Sequence, residues 1–275
     1  MADETTTGGL VSRHPVLTFV AIAYGWAWVW WLPLLADRQD WVTWTVSPAL
    51  HLVGGLGPAI AALVVVAVLH GRVGVLALMA RCLAWRGRLW WLAVAALGPL
   101  ALFAVAVLGA RLVEGTWPEL TQFGASIEYA ALPIGLYWVA NLLFYGFGEE
   151  IGWRGFLQPR LQRHRNALTA AAVVSVVWAL WHLPLFWITP TYRAMPAIGF
   201  VGFYFSILVG SLVLAWLSIA GRASILVVAV FHAVFDIATT TPTTTTLIPT
   251  MTGAAITIAG LATIPYLRAV KATGG

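Results

Sequence analysis

Charge is scarce in this 275-residue chain: 9% of its residues are Asp, Glu, Lys or Arg and 61% are hydrophobic. Soluble domains carry about 25% charged residues, so this chain cannot cover a water-facing surface. Cysteine is almost absent. Cys82 is the single one, which excludes a disulfide framework and a cysteine-based metal site. The chain also lacks an internal repeat, a Gly-rich phosphate loop, an HExxH signature and a soluble domain. Its first residues, Met1-Ala-Asp-Glu-Thr-Thr-Thr, are polar and partly acidic. They lack the basic n-region of a secretory signal, so the first apolar run reads as retained.

What the chain has is long apolar runs near the ~20 residues that span a bilayer. The expected fold is all-α, a single integral-membrane domain over 1–275 with about eight spans. These fall near 15–36, 47–69, 89–110, 131–152, 167–187, 197–220, 223–238 and 248–267. The seventh is short and the fourth carries two glutamates, so hydropathy supports these two least. Residues 1–14 read as a polar cytoplasmic tail, and 131–240 as the motif-bearing core.

Charge placement agrees with that count. With the N-terminus inside, the inner segments hold Arg13, Arg72, Arg81, Arg86, Arg88, Arg160, Arg163, Arg165, Arg222, Arg268 and Lys271. The outer segments hold Arg38, Arg111 and Arg193 beside Asp37, Asp40, Glu114, Glu119 and Glu128. This is a positive-inside pattern. Both termini are expected in the cytoplasm, with the protein in the plasma membrane. The net charge of +5 then reflects topology, and no nucleic-acid partner is implied.

Trp26, Trp28, Trp30, Trp31, Trp90, Trp91 and Trp187 lie near span ends and read as an interfacial aromatic belt. Residues 70–88 alternate apolar and Arg positions, the pattern of an amphipathic stretch along the inner interface. The tract Thr239 to Thr246 reads as an outer loop.

Five ionisable residues stand inside three of the expected spans: Glu149, Glu150, His182, His232 and Asp236, with Arg154 at the end of the fourth span. Intramembrane charges are costly and persist when they pair or do chemistry. A lone histidine, or Asn141, can simply bond a neighbouring helix. Five such groups in three spans point instead to convergence. Glu150 and Arg154 are i and i+4, so they share a helix face and can pair. Glu149 is turned about 100° away. His232 and Asp236 also share a face, as do Trp178 and His182. Counting back and forward from the turn near residue 165 puts Glu149 and His182 roughly 23 and 26 Å in. His232 and Asp236 come roughly 15 and 21 Å in from Arg222, so three helices can place these groups in one layer. Gly152, Gly155 and Pro159 make the position after Arg154 a candidate helix break.

The series Glu149-Glu150-x-x-x-Arg154, Trp178-x-x-x-His182 and His232-x-x-x-Asp236 resembles the three ordered motifs of the CPBP (Abi) family. That family includes type II CAAX prenyl endopeptidases and bacteriocin-processing or self-immunity proteins. The flanks Trp153-Arg154-Gly155-Phe156-Leu157 and Trp181-His182-Leu183-Pro184-Leu185 are similar too. The resemblance covers about residues 145–240; the N-terminal third matches only as generic membrane helices. It implies an intramembrane endopeptidase acting on a peptide or lipidated-protein substrate in the bilayer. Glu149 would be the general base that activates a water with His182. Glu150 and Arg154 would support it, and His232 with residue 236 would stabilise the oxyanion. Two positions depart from the usual pattern: Trp178 where Phe is common, and Asp236 where Asn also occurs. An ionised Asp cannot donate a hydrogen bond, so Asp236 is protonated, or orients His232, or does something else.

Zinc is the competing chemistry, because two histidines and carboxylates match its ligand preferences; the absence of HExxH favours a mechanism without a cofactor. A non-catalytic immunity or scaffold protein, or a transporter with a proton-relay carboxylate, stays open as a different class. Neither the substrate's identity nor its lipidation is legible.

Overall fold

The computed structural model describes residues 6–193, 195, 197–243 and 245–272. The first five residues of the polar tail and Thr244 of the Thr-rich tract lie outside this set. Among the described residues the structure is all-helical, as expected. The helices are α1 (Thr6–Arg13), α2 (Pro15–Arg38), α3 (Ala49–Gly55), α4 (Gly57–Cys82) and α5 (Leu89–Glu114). A composite fourth rod follows: α6 (Ile134–Asn141), a π-helical stretch (Leu142–Phe147), α7 (Gly148–Gly152), a second π stretch (Trp153–Leu157) and α8 (Gln158–Gln162). Then come α9 (Ala167–Trp181), a 3-10 turn (Leu183–Trp187), α10 (Pro190–Arg193), α11 (Ala197–Ala220), α12 (Ile225–Thr240) and α13 (Leu247–Ala269).

Six of these segments are long and apolar enough to cross a membrane: Pro15–Arg38, Ala49–Cys82, Leu89–Glu114, Ala167–Trp187, Ile198–Ala220 and Leu247–Ala269. The two that fall short are the two that hydropathy supported least. The fourth rod is divided by π turns. Helix α12 has 16 residues, about 24 Å of helix, less than the ~30 Å hydrocarbon core. Lipid-facing surface is plain in the exposed apolar side chains, such as Leu112, Leu97 and Ile198; such coverage is untenable in water.

Local chemistry sets the helix ends. Asn166 Oδ1 accepts from Thr169 N at 2.8 Å and starts α9. Ser224 Oγ accepts from Val227 N and starts α12. Each satisfies a backbone N–H that the first turn leaves unpaired. Gly115 closes α5 at φ 75°, a left-handed cap that costs glycine little.

The fourth rod occupies the centre, with α4 on one flank and α12 on the other, while α2 backs α4 and α5 backs α12. Close approach depends on glycine. A Cβ on Gly148 would lie 2.9 Å from Gly55 O, and one on Gly152 would collide with Pro58. This Gly-x-x-x-Gly face lets α4 approach the rod's backbone. On the other flank, a Cβ on Gly146 would meet Ala229 O of α12 at 2.7 Å.

Hydrogen bonds sort the connections into two ends. At one end Arg81 donates to Ala223 O, Gly155 O and Arg154 O, Arg88 to Gly221 O and Arg222 O, and Ala167 N to Val270 O. At the other, His51 meets Glu128, Gly124 N donates to Thr241 Oγ1, and Thr245 donates to Glu114. These are the ends the charge pattern called inner and outer.

Three expectations change. Trp31 is fully buried, not interfacial; its ring meets that of Trp181 at a tilt, centroids 4.7 Å apart, and it donates to His51 O. Trp26 and Trp28 donate inward to Val53 O and Trp181 O. Within α2 the buried residues Phe19, Ala23, Ala27 and Trp31 recur every fourth position, so the stripe that packs against the protein claims Trp31. The stretch expected over 70–88 narrows to residues 72–82, a helical segment set off from the rest of α4 by a kink at Gly71, whose φ is 59° and ψ −159°. Thr239 and Thr240 belong to the last turn of α12 rather than to a loop.

Candidate active site

Glu149 and Glu150 lie on the short α7, between the two π stretches. A π turn inserts an extra residue into the helical ladder and re-aims the side chains beside it. The expected break after Arg154 does not occur. The rod absorbs Gly152 and Gly155 by widening, and Arg81 binds the Arg154 and Gly155 carbonyls.

Glu150 and Arg154 form the ion pair that their spacing suggests. Arg154 Nη1 lies 2.8 Å from Glu150 Oε1, and both side chains are 0% exposed. A second partner comes from α12: His232 Nδ1 is 2.8 Å from the same oxygen. That contact sets the tautomer, since only a protonated Nδ1 can donate to a carboxylate. On the opposite side of the ring, Nε2 lies 3.5 Å from Asp236 Oδ2. Asp236 therefore faces His232, the geometry of a group that orients the imidazole. The Arg154 guanidinium also stands 4.8 Å from the Trp178 ring centroid, a cation–π placement that favours a desolvated cation.

Glu149 is held differently. Its Oε2 accepts from Trp153 Nε1 at 3.1 Å and from Trp178 Nε1 at 2.5 Å. Its Oε1 has no hydrogen-bond partner among the described residues. The carboxylate is thus anchored by one oxygen and open at the other.

His182 follows α9 as its cap, and its Nδ1 lies 2.8 Å from Trp178 O. A carbonyl can only accept, so Nδ1 carries the proton and Nε2 keeps a lone pair. The ring sits among Trp181, Trp178 and Phe203, at centroid distances of 4.8, 5.8 and 5.5 Å. Trp178 also meets the His232 ring edge-on at 5.4 Å. The structure therefore brings Glu149, Glu150, Arg154, Trp178, His182 and His232 into one buried layer, with Asp236 partly exposed at its edge.

Sequence reasoning treated Trp178 as an aromatic wall and gave Trp153 no role. Both donate to Glu149. For Trp153 a signal existed, because it is i+4 from Glu149. Tyr192 was also missed. It packs on Phe203 at 5.2 Å, and its phenol is raised well above the ordinary value by burial first, then by the charges of Asp236 and Glu149.

Asn141 is spent on structure, donating to Tyr137 Oη at 3.2 Å. Among the described residues no group of three or more His, Cys, Asp or Glu has the spacing to hold a metal ion.

Residues 131–238 match a family model described as type II CAAX prenyl endopeptidase Rce1-like. Over 100 residues the chain is 29% identical to CAAX prenyl protease 2 of Methanococcus maripaludis. That alignment spans 35% of this chain and 37% of the relative, so just over a third of the relative's length is matched. The matched segment contains all three motifs.

Proposed function

We propose that this chain is an intramembrane endopeptidase of the CAAX-protease type. It hydrolyses a peptide bond in a membrane-associated or lipidated substrate, using a water activated by Glu149 and His182. The observation that carries this reading is the unequal use of the two Glu149 oxygens. Oε2 is fixed by Trp153 and Trp178, while Oε1 accepts no hydrogen bond among the described residues. A carboxylate held by one oxygen keeps the other in register to take a proton from water. His182 presents the Nε2 lone pair as a second acceptor for that water. As the hydroxide adds to the scissile carbonyl, negative charge develops on its oxygen. His232, fixed through Nδ1 by Glu150 and flanked by Asp236, can donate from a protonated Nε2 to that oxyanion. Such preorganised donors act strongly where water is excluded. Asp236 then serves as the group that orients His232 rather than as a donor. The proton on Glu149 passes to the leaving amine.

Under this reading the basic end faces the cytoplasm at the plasma membrane, with both termini on that side. No step in this scheme uses a metal. The test is cleavage of a lipidated peptide by purified protein, with and without complete metal removal and with metal content measured. Activity that persists at zero bound metal is expected; activity restored only by added zinc would overturn the mechanism. Glu149→Gln tests the enzyme assignment itself: a scaffold would keep its phenotype with this substitution, and cleavage that persisted in it would sink the protease reading.

A further inference from the structure

The basic end contains a groove that the chemistry above leaves unused. It lies between the part of α4 beyond Gly71 and the end of the fourth rod, and encloses about 280 Å³. Its polar lining is His70, Arg81, Arg160 and Arg163, and its apolar wall includes Leu78 and Phe156. The Gly71 kink, at φ 59°, turns the last part of α4 and shapes one side.

The charges here are unbalanced. Arg160 Nη2 meets only the His70 imidazole, at 3.3 Å, and its guanidinium stacks on Phe156 at 4.5 Å. Burial first, and the charge of Arg163 second, lower the Arg160 pKa from its usual value. Arg163 is exposed and forms no ion pair. Arg81 spends three of its five N–H groups on carbonyls and adds charge to the groove. Among the described residues, every acidic side chain lies at the other end or in the motif layer. A half-apolar, half-cationic cleft between membrane helices at the basic end suits a phosphate that carries acyl chains.

We propose that this groove binds the phosphate of an anionic phospholipid, with Arg160 and Arg163 as its donors and the acyl chains running out over the apolar wall. The phosphate could also come free from solution, and the measurement separates the two sources. The full chain, purified in detergent, is titrated with phosphatidylglycerol, with phosphatidylcholine, and with inorganic phosphate, and bound ligand is read by native mass spectrometry. One retained phosphatidylglycerol per chain is expected, with no phosphatidylcholine adduct. Arg160→Gln with Arg163→Gln should weaken that binding by roughly tenfold or more. Arg268→Gln with Lys271→Gln, which removes the same charge from the same end outside the groove, should leave it unchanged. Arg160→Lys with Arg163→Lys keeps the charge and should retain the lipid, which guards against a folding defect in the glutamine pair. Equal weakening by both neutralising pairs would reduce the effect to diffuse surface charge and overturn the site. Displacement of the lipid by millimolar inorganic phosphate would overturn the lipid as ligand. Binding is read without cleavage, so its failure leaves the protease proposal untouched.

Discussion

Glu149 and Glu150 are consecutive on one short helix, yet the two faces of the fourth rod hold them by different chemistry. The face carrying Glu150 supplies a guanidinium and an imidazole, both on Oε1. The face carrying Glu149 supplies two neutral indole N–H groups on Oε2 and nothing on Oε1. A buried charge neutralised by a cation is a structural element, and its removal strands the partner. A buried carboxylate held only by neutral donors is positioned without being neutralised, so it stays available to a proton. The contrast shows how one helix can carry an architectural and a reactive carboxylate side by side.

Substitutions can break or sharpen this contrast. The largest effect on turnover is expected for Glu149→Gln. It keeps the shape and removes the base, so peptide cleavage should fall about 10²–10⁴-fold while the thermal melt in detergent stays near the wild type. On the other face the largest effect is on stability. Arg154→Ala strips the buried Glu150 of its guanidinium and leaves it His232 alone, at a cost of about 3–5 kcal/mol, read as lost yield and a lower melting temperature. Adding Glu150→Gln to it should recover part of that loss. If Arg154→Ala melted like the wild type, the architectural role of the pair would be wrong.

Gly152→Ala is intermediate. Its methyl would collide with Pro58, and such overpacking costs about 1–3 kcal/mol. The rod should shift from α4, lowering both the melting temperature and activity. The smallest effect is expected for Trp178→Phe, which keeps the ring and removes one of two donors to Glu149. A single hydrogen bond contributes about 1 kcal/mol net, so kcat should fall several-fold with KM nearly constant. A loss as large as that of Glu149→Gln would show that Trp178 does more than position the carboxylate.

Much of this was legible in the chain. Apolar runs located the helices because burial in lipid requires continuous hydrophobicity. The segments that hydropathy supported least, 131–152 and 223–238, are the ones that depart from simple spanning rods. One holds π turns, the other is short. The Glu150–Arg154 pair was legible because helical spacing is local. The partners of Glu149 were not. Whether Trp178 reaches Glu149 depends on how α9 is rotated against the fourth rod, and the π turns change that rotation. Trp31 was misplaced for a similar reason: position near a span end does not say which side of a helix faces lipid.

The sequence by itself determined that this chain is helical and membrane-spanning, which of its ends is basic, and which ionisable residues it keeps in apolar surroundings. Each of these follows from composition and from spacing along one helix, which the period of 3.6 residues settles. Only the tertiary structure decided that Glu150 is shared by Arg154 and His232, and that Glu149 keeps one oxygen open. Those outcomes depend on distances between helices far apart in the chain, set by where Gly146, Gly148 and Gly152 let backbones approach. Close packing of that kind belongs to several segments at once, so no single segment encodes it.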